Sequence, residues 1–427
     1  MNRWLVVVGA VLIQLCLGAI YAWSAFTQAL TTPVAKGGVF GFTATQSQAI
    51  FSVGLATFAV VMVLAGRWQA KVGPRLVAFL GGILLGVGYI AASFVGQTFM
   101  AQLVTIGLIG GAGIGLAYVC PIAVGIRWFP DKKGLITGIA VAGFGFGALI
   151  WVKMAGAWGH LIQTQGVLGT YRIFGVIFLV AVLIGSIWMV YPEAAPAAGG
   201  KPAAAPSGML PDEMLKTPQF YIIWLTFAVG AMAGLMVIGI IALFSKDSLT
   251  AAGMDAATAA VVAGTAMAVF YAIFNGLGRI VWGSVSDKLG RQRSVVLMCL
   301  FQGIMMFAFY FVLASSEWPL YIGAALIGFN FGGNFALFPA LTADLFGAGT
   351  VGRNYGWVFT SYGVGGIVGP VMAGHFKDVG LGKGVGAWMP AFVIAGVGLV
   401  VVSLLMTRLK PIGKKAEVAQ VATAAAK

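Results

Sequence analysis

Apolar residues fill the chain in twelve long runs, each able to cross the hydrocarbon core of a bilayer as a helix of about 20 residues. The runs cover 4–28, 46–66, 75–96, 99–125, 134–156 and 170–191, then 218–244, 257–284, 293–314, 318–344, 353–375 and 387–408. Short polar turns separate them, and one break is long. Pro192 to Pro218 is rich in Pro, Ala and Gly, cannot bury a core, and reads as a linker. The pattern predicts an all-α membrane protein of two six-helix bundles, 1–191 and 218–410, joined by a linker over 192–217 and followed by a tail over 411–427. The first run, Trp4 to Phe26, is too long for a signal-peptide core and reads as the first span.

The two halves repeat. Gly66-Arg-Trp-Gln-Ala-Lys-Val-Gly-Pro-Arg75 follows the second run, and Gly283 to Arg293, GSVSDKLGRQR, follows the eighth, an offset of 217 residues. Gly138, Gly145 and Gly147 in the fifth run match Gly356, Gly363 and Gly365 in the eleventh, at offset 218. Duplicated parallel halves place a substrate site at their interface, near the bilayer midplane.

Composition supports this and removes other classes. Of 427 residues 60% are hydrophobic and 8% charged, with mean hydropathy +0.99, which no soluble domain matches. The net charge of +14 could suggest nucleic acid, but the cations sit in short loops on one side of the spans. Placing both termini and the linker in the cytoplasm puts 18 of the 25 Lys and Arg inside and 5 outside, leaving Lys153 and Arg279 embedded. Cys16, Cys120 and Cys299 fall in apolar runs without CxxC spacing, so neither a disulfide frame nor a metal site is indicated, and no cofactor is expected.

The eleven acids all fall in loops, tails or helix ends, so the spans hold no deep carboxylate. Arg279 stands inside the eighth run, where an arginine costs about 2.5–3.5 kcal/mol on insertion scales. Tyr271, Asn275 and Arg279 recur every four residues and share one helix face. Two readings are open. Arg279 is the hook for an anion, or it snorkels toward water near Asp287, roughly 12 Å along the helix. The segment from Asp255 to Gly283 is about 42 Å long, more than a span needs, which places Arg279 deep and favours the hook. Asn275 either orients the guanidinium and substrate or joins helices. Lys153, roughly 28 Å along the fifth run, reads as a snorkelling interfacial residue, and His160 and His375 read as interfacial.

The glycine runs at 107–115 and 363–369 lie inside apolar spans and serve close helix packing, not phosphate binding. Asp287 and Arg291, with Lys288 and Arg293, either mark topology or latch one conformer through ion pairs.

At these residues the chain resembles the major facilitator superfamily. GSVSDKLGRQR matches that superfamily's loop motif, glycine-x-x-x-acid-basic-x-glycine-basic, whereas the first copy has Ala70 in place of the acid. Met214 to Phe220, Arg127 to Gly134, Phe274 to Arg279, Ala336 to Pro339 and Arg353 to Gly356 resemble the monocarboxylate transporter and oxalate/formate antiporter families. The resemblance implies a major facilitator fold and gives Arg279 the role of carboxylate ligand. Animal monocarboxylate transporters carry an aspartate where Asn275 stands, and a lysine in the first helix that is absent here. The oxalate exchanger's second cation, a lysine in the eleventh helix, corresponds to Tyr362. The exchanger's cavity aromatics correspond to Tyr21, Tyr118, Phe331 and Phe335. One cation suits a monocarboxylate, because a second buried carboxylate lacks a partner.

The expected protein is a monomeric, multi-pass carrier of the bacterial inner membrane with both termini cytoplasmic. It moves small monocarboxylates by alternating access with a proton: L-lactate first, then pyruvate, acetate or formate. A carboxylate exchanger, such as one for oxalate and formate, is the alternative, and a membrane sensor is less favoured. No HExxH, embedded acid pair or Ser–His arrangement supports an enzyme.

Overall fold

The computed structural model describes residues 2–412 except 33, 43, 157, 193–207 and 381. Most of the expected linker and tail therefore lies outside the described residues. The described chain is helical throughout. Its first long element, α1, runs over Arg3–Leu17, tightens into a 3-10 turn at Gly18–Ala22, and continues through Trp23–Thr31. There follow α2 (Ala44–Val72), α3 (Pro74–Val95), α4 (Phe99–Trp128), α5 (Lys133–Ala155) and α6 (Leu161–Ser186). After a single turn at Pro211–Met214 come α7 (Pro218–Ala251), α8 (Ala256–Leu289), α9 (Arg291–Phe311), α10 (Glu317–Phe346), α11 (Val351–Val379) and α12 (Gly384–Thr407).

Eleven helices among the described residues are long and apolar enough to cross a membrane. The twelfth, α11, is present at 29 residues but is less apolar than the others. One side of it carries glycines and buried Asn354, Ser361, Tyr355 and Tyr362 into the interior, so fewer apolar residues are left for lipid. Helix α6 starts nine residues before the expected 170. Its first turns, Leu161–Gln165, are polar enough to read as loop, and Gly166 (φ 68°) breaks the helix where it leaves them.

The local signals at the helix ends are ordinary ones. Thr98, Thr217 and Asp255 cap α4, α7 and α8 with side-chain oxygens. Pro74 and Pro218 open α3 and α7, where the missing N–H costs nothing. Gly73 (φ 89°, ψ 153°) and Gly290 (φ 91°, ψ 148°) adopt the same backbone at the turns before α3 and α9. That geometry strains any residue with a Cβ, so the repeated glycines 217 residues apart have a physical cause.

Two seams join the bundles: α5 against α8, and α2 against α11, with α10 also reaching α5. Each is the counterpart of the other under the repeat. The chains approach closely: a Cβ on Gly138 would collide with the Arg279 carbonyl, and one on Gly66 with the Gly352 carbonyl. The bundles also meet at the end carrying the turns after α2 and α8, where Arg127 donates to the Gly349 carbonyl and Lys133 pairs with Asp344 at 2.8 Å. This is the basic end of the molecule.

Candidate functional site

Helix α8 is clamped between α5 of the other bundle and α10 of its own, and this seating drives one polar face of it inward. A π turn at Ala266–Tyr271 precedes that face. Such turns shift register and recur at functional sites. Tyr271, Asn275 and Arg279 are all buried, Arg279 at 0% exposure. Snorkelling is excluded by that burial.

The Arg279 guanidinium is held on two of its three nitrogens. Nε donates to Asn275 Oδ1 at 3.0 Å, and Nη1 donates across the bundle interface to the Val141 carbonyl of α5 at 2.8 Å. Nη2 is buried with no hydrogen-bond partner. The guanidinium carbon lies 4.1 Å from the ring centroid of Phe335 and 5.4 Å from that of Phe144. None of the ion pairs among the described residues includes Arg279. A buried cation with only neutral partners is costly, and an anion within reach of Nη2 would offset that cost.

Tyr118 of α4 is buried with its hydroxyl unpartnered. Its ring meets Phe58, Phe144 and Phe359 at 5.0, 5.5 and 5.2 Å. Tyr21 sits in the 3-10 turn of α1, and its hydroxyl shares a 2.5 Å hydrogen bond with that of Tyr362 on α11. This contact joins opposite bundles in the protein interior. Phe335 of α10 faces Tyr362 at 5.5 Å and Phe331 at 5.2 Å. Phe331 in turn lies against Tyr271 at 6.3 Å, one helical turn from the guanidinium's own contacts. The structure thus brings Arg279, Asn275 and Phe335 into direct contact. The Tyr118 and Tyr21 hydroxyls lie beside the guanidinium, Tyr21 and Tyr362 engage each other, and Phe331 backs Phe335.

Phe144, Phe58 and Phe359 were not among the sequence candidates. Phe359 stacks on Tyr362 at 4.7 Å and lies 5.0 Å from Phe58. The signal for it was present, since Tyr355, Phe359 and Tyr362 fall on one helical face at spacings of four and three. Val141 contributes through its carbonyl, which no side-chain pattern encodes.

At the basic end, the Asp287 carboxylate accepts hydrogen bonds from the backbone N–H groups of Gly134 (3.0 Å) and Leu135 (2.8 Å), at the start of α5 in the other bundle. An anion there also meets the positive end of the α5 dipole. Arg291 pairs with Asp287 at 2.5 Å and, through Nε, with Asp344 at 3.1 Å. Lys153 is half-buried in the last turn of α5, and His160 and His375 are exposed. The three cysteines are buried and free, and no group of three metal-ligating side chains comes together among the described residues.

Comparison with known proteins agrees with this architecture. The pattern that defines the Major Facilitator Superfamily matches residues 14–270 and 248–426, and the chain belongs to that family of membrane transporters. It is 30% identical to the uncharacterized MFS-type transporter YhjX of Escherichia coli, over 86% of each chain. It is 26% identical to the oxalate:formate antiporter of Oxalobacter formigenes, over 96% of this chain and 92% of that one. It is 25% identical to apicoplast pyruvate carrier 1 of Toxoplasma gondii, over 84% and 81%. The family resemblance drawn from the loop motif and the α8 residues is thereby confirmed.

Proposed function

We propose that this transporter carries small monocarboxylates, L-lactate foremost and pyruvate, acetate and formate next, by alternating access in symport with a proton. One observation carries the reading. The guanidinium of Arg279 is fully buried between the bundles, pairs with no described carboxylate, and keeps Nη2 unpaired. A substrate carboxylate supplies the missing charge there. Asn275 orients the fork, the Tyr118 hydroxyl is a free donor, and Tyr21, Phe331, Phe335 and Tyr362 form the apolar wall around a short carbon chain. Substrate bound to Arg279 weakens the guanidinium's tie to the Val141 carbonyl and so frees α5 from α8.

The basic end faces the cytoplasm, in keeping with the excess of Lys and Arg there. Asp287 and Arg291 latch it shut in the conformation described. The relatives that carry oxalate, formate and pyruvate support a carboxylate as the substrate class.

A panel of labelled acids in proteoliposomes, with and without an imposed pH gradient, tests the proposal. Lactate accumulation driven by the proton gradient, with weak competition from oxalate, is the expected result. Oxalate competing as well as lactate, without a gradient effect, would instead establish an exchanger. A second expectation concerns the single cation. Tyr362→Lys adds a positive charge about where a dicarboxylate's far end would lie, and the oxalate-to-lactate uptake ratio rises about tenfold, equivalent to about 1.4 kcal/mol of differential binding. Unchanged selectivity in a well-folded variant removes the one-cation argument.

A further inference from the structure

The two seams are equivalent under the repeat, but their charge is not. At the α8–α5 seam, Asp287 covers the first N–H groups of α5. At the α2–α11 seam, the offset of 217 puts Ala70 where Asp287 stands, and the offset of 218 puts Gly352 where Gly134 stands. The close backbone approach is kept, since a Cβ on Gly283 would strike the Gly134 carbonyl and one on Gly66 the Gly352 carbonyl. The start of α11 therefore arrives at the end of α2 as α5 arrives at α8, but among the described residues no carboxylate accepts from it, and its Arg353 N–H donates to the Thr350 carbonyl at 2.9 Å. Its N-cap, Thr350, makes no side-chain cap bond.

What surrounds that helix start is cationic and under-satisfied. Gln69 is 1% exposed, both its amide atoms lack partners, and its Nε2 is so near Gly352 that a Cβ there would collide with it. The Arg127 guanidinium stacks 3.7 Å from the Tyr191 ring centroid, one nitrogen donates to the Gly349 carbonyl, and its Nε is buried without a partner. Arg353 follows Gly352 directly, which brings a second cation to the start of α11. The ion pairs among the described residues include neither arginine. Ala70, in the place of that carboxylate, is exposed at the basic end.

We propose that this helix start binds a small soluble oxyanion of the phosphate class, seated on the Val351 and Gly352 N–H groups with Gln69 Nε2 and Arg127 as side-chain donors, and that its occupancy holds the basic end closed. A helix N-terminus with converging donors is suited to such an anion. The α8–α5 seam has a permanent carboxylate for this task, whereas the α2–α11 seam borrows an exchangeable one. The conformational equilibrium then depends on the anion content of the compartment facing the basic end. The inference is independent of the carboxylate reading of Arg279.

The test uses the full chain in phosphatidylcholine nanodiscs, with inorganic phosphate as probe and ionic strength held constant by a bulky sulfonate. Ala123→Cys places a thiol on α4 facing Gly352, and its labelling by a maleimide reports opening of the seam. The three native cysteines are buried, so their background is low. Phosphate should slow labelling saturably, by about tenfold. Ala70→Asp should label slowly without phosphate and ignore its addition. Arg127→Gln should lose the phosphate effect, and it decides the matter if Ala70→Asp fails to fold. No response in the parent protein, or an undiminished response in Arg127→Gln, overturns the proposal. Protection by phosphatidylglycerol in the nanodisc without protection by free phosphate assigns the site to a lipid headgroup and likewise overturns it.

Discussion

Arg279→Ala reduces lactate uptake into proteoliposomes at least about 100-fold, and Arg279→Lys does nearly the same. Removing one member of a buried ion pair costs about 3–5 kcal/mol, and each 1.4 kcal/mol is a factor of ten, so a hundredfold loss is the lower bound if Arg279 holds the carboxylate. Lysine keeps the charge but not the planar fork. A single ammonium cannot reproduce the geometry in which Nε meets Asn275, Nη1 meets Val141 and Nη2 remains free. A third variant separates a binding role from a structural one. Arg279→Met removes an uncompensated buried charge while retaining bulk, so it leaves the melting temperature unchanged or raised while uptake is lost. Uptake at the parent rate in the alanine variant, or marked destabilisation by methionine, sinks the assignment.

Asp287→Asn shifts the equilibrium toward an open basic end. The asparagine can accept from one N–H at the start of α5, but it loses the charge that Gly134, Leu135 and Arg291 now share. Hydrogen bonds to charged groups contribute about 1.5–3 kcal/mol, and part of this loss is regained through the remaining amide contacts. The expected net change of about 1–3 kcal/mol corresponds to roughly 5–150-fold in the ratio of conformers. Spin labels at Lys132→Cys and Lys288→Cys, both exposed and on opposite sides of the seam, report it as growth of a longer distance population. An unchanged distance distribution removes Asp287 from the latch.

The polar face of α8 was legible because its physics is local. Four-residue spacing aligns Tyr271, Asn275 and Arg279 on one face, and an arginine amid apolar residues is too costly to be incidental. The turns before α3 and α9 were legible because their backbone admits glycine almost alone. Phe144 and Phe146 show where legibility stops. Both occupy the alternating Gly143 to Gly147 stretch, yet Phe144 faces the guanidinium while Phe146 packs on Gly276. Composition treats them alike, and only the seating of α5 on α8 tells them apart. The start of α6 was misjudged for a related reason, since a helix that projects beyond the apolar layer carries no apolar signal.

The amino-acid sequence alone determined that this chain spans a membrane as two repeated helical halves, and that one arginine stands inside an apolar run while the acids fall outside the spans. These are statements about the cost of exposing apolar surface to water and of burying charge, and such costs attach to residues one at a time. Tertiary structure decided the rest: that Arg279 spends Nη1 on a carbonyl 138 residues away, that Tyr21 meets Tyr362 across 341 residues, and that Asp287 rests on the start of α5. Each depends on the relative placement of two bundles. That placement arises from the summed packing of glycine-lined seams, and no single position in the chain records it.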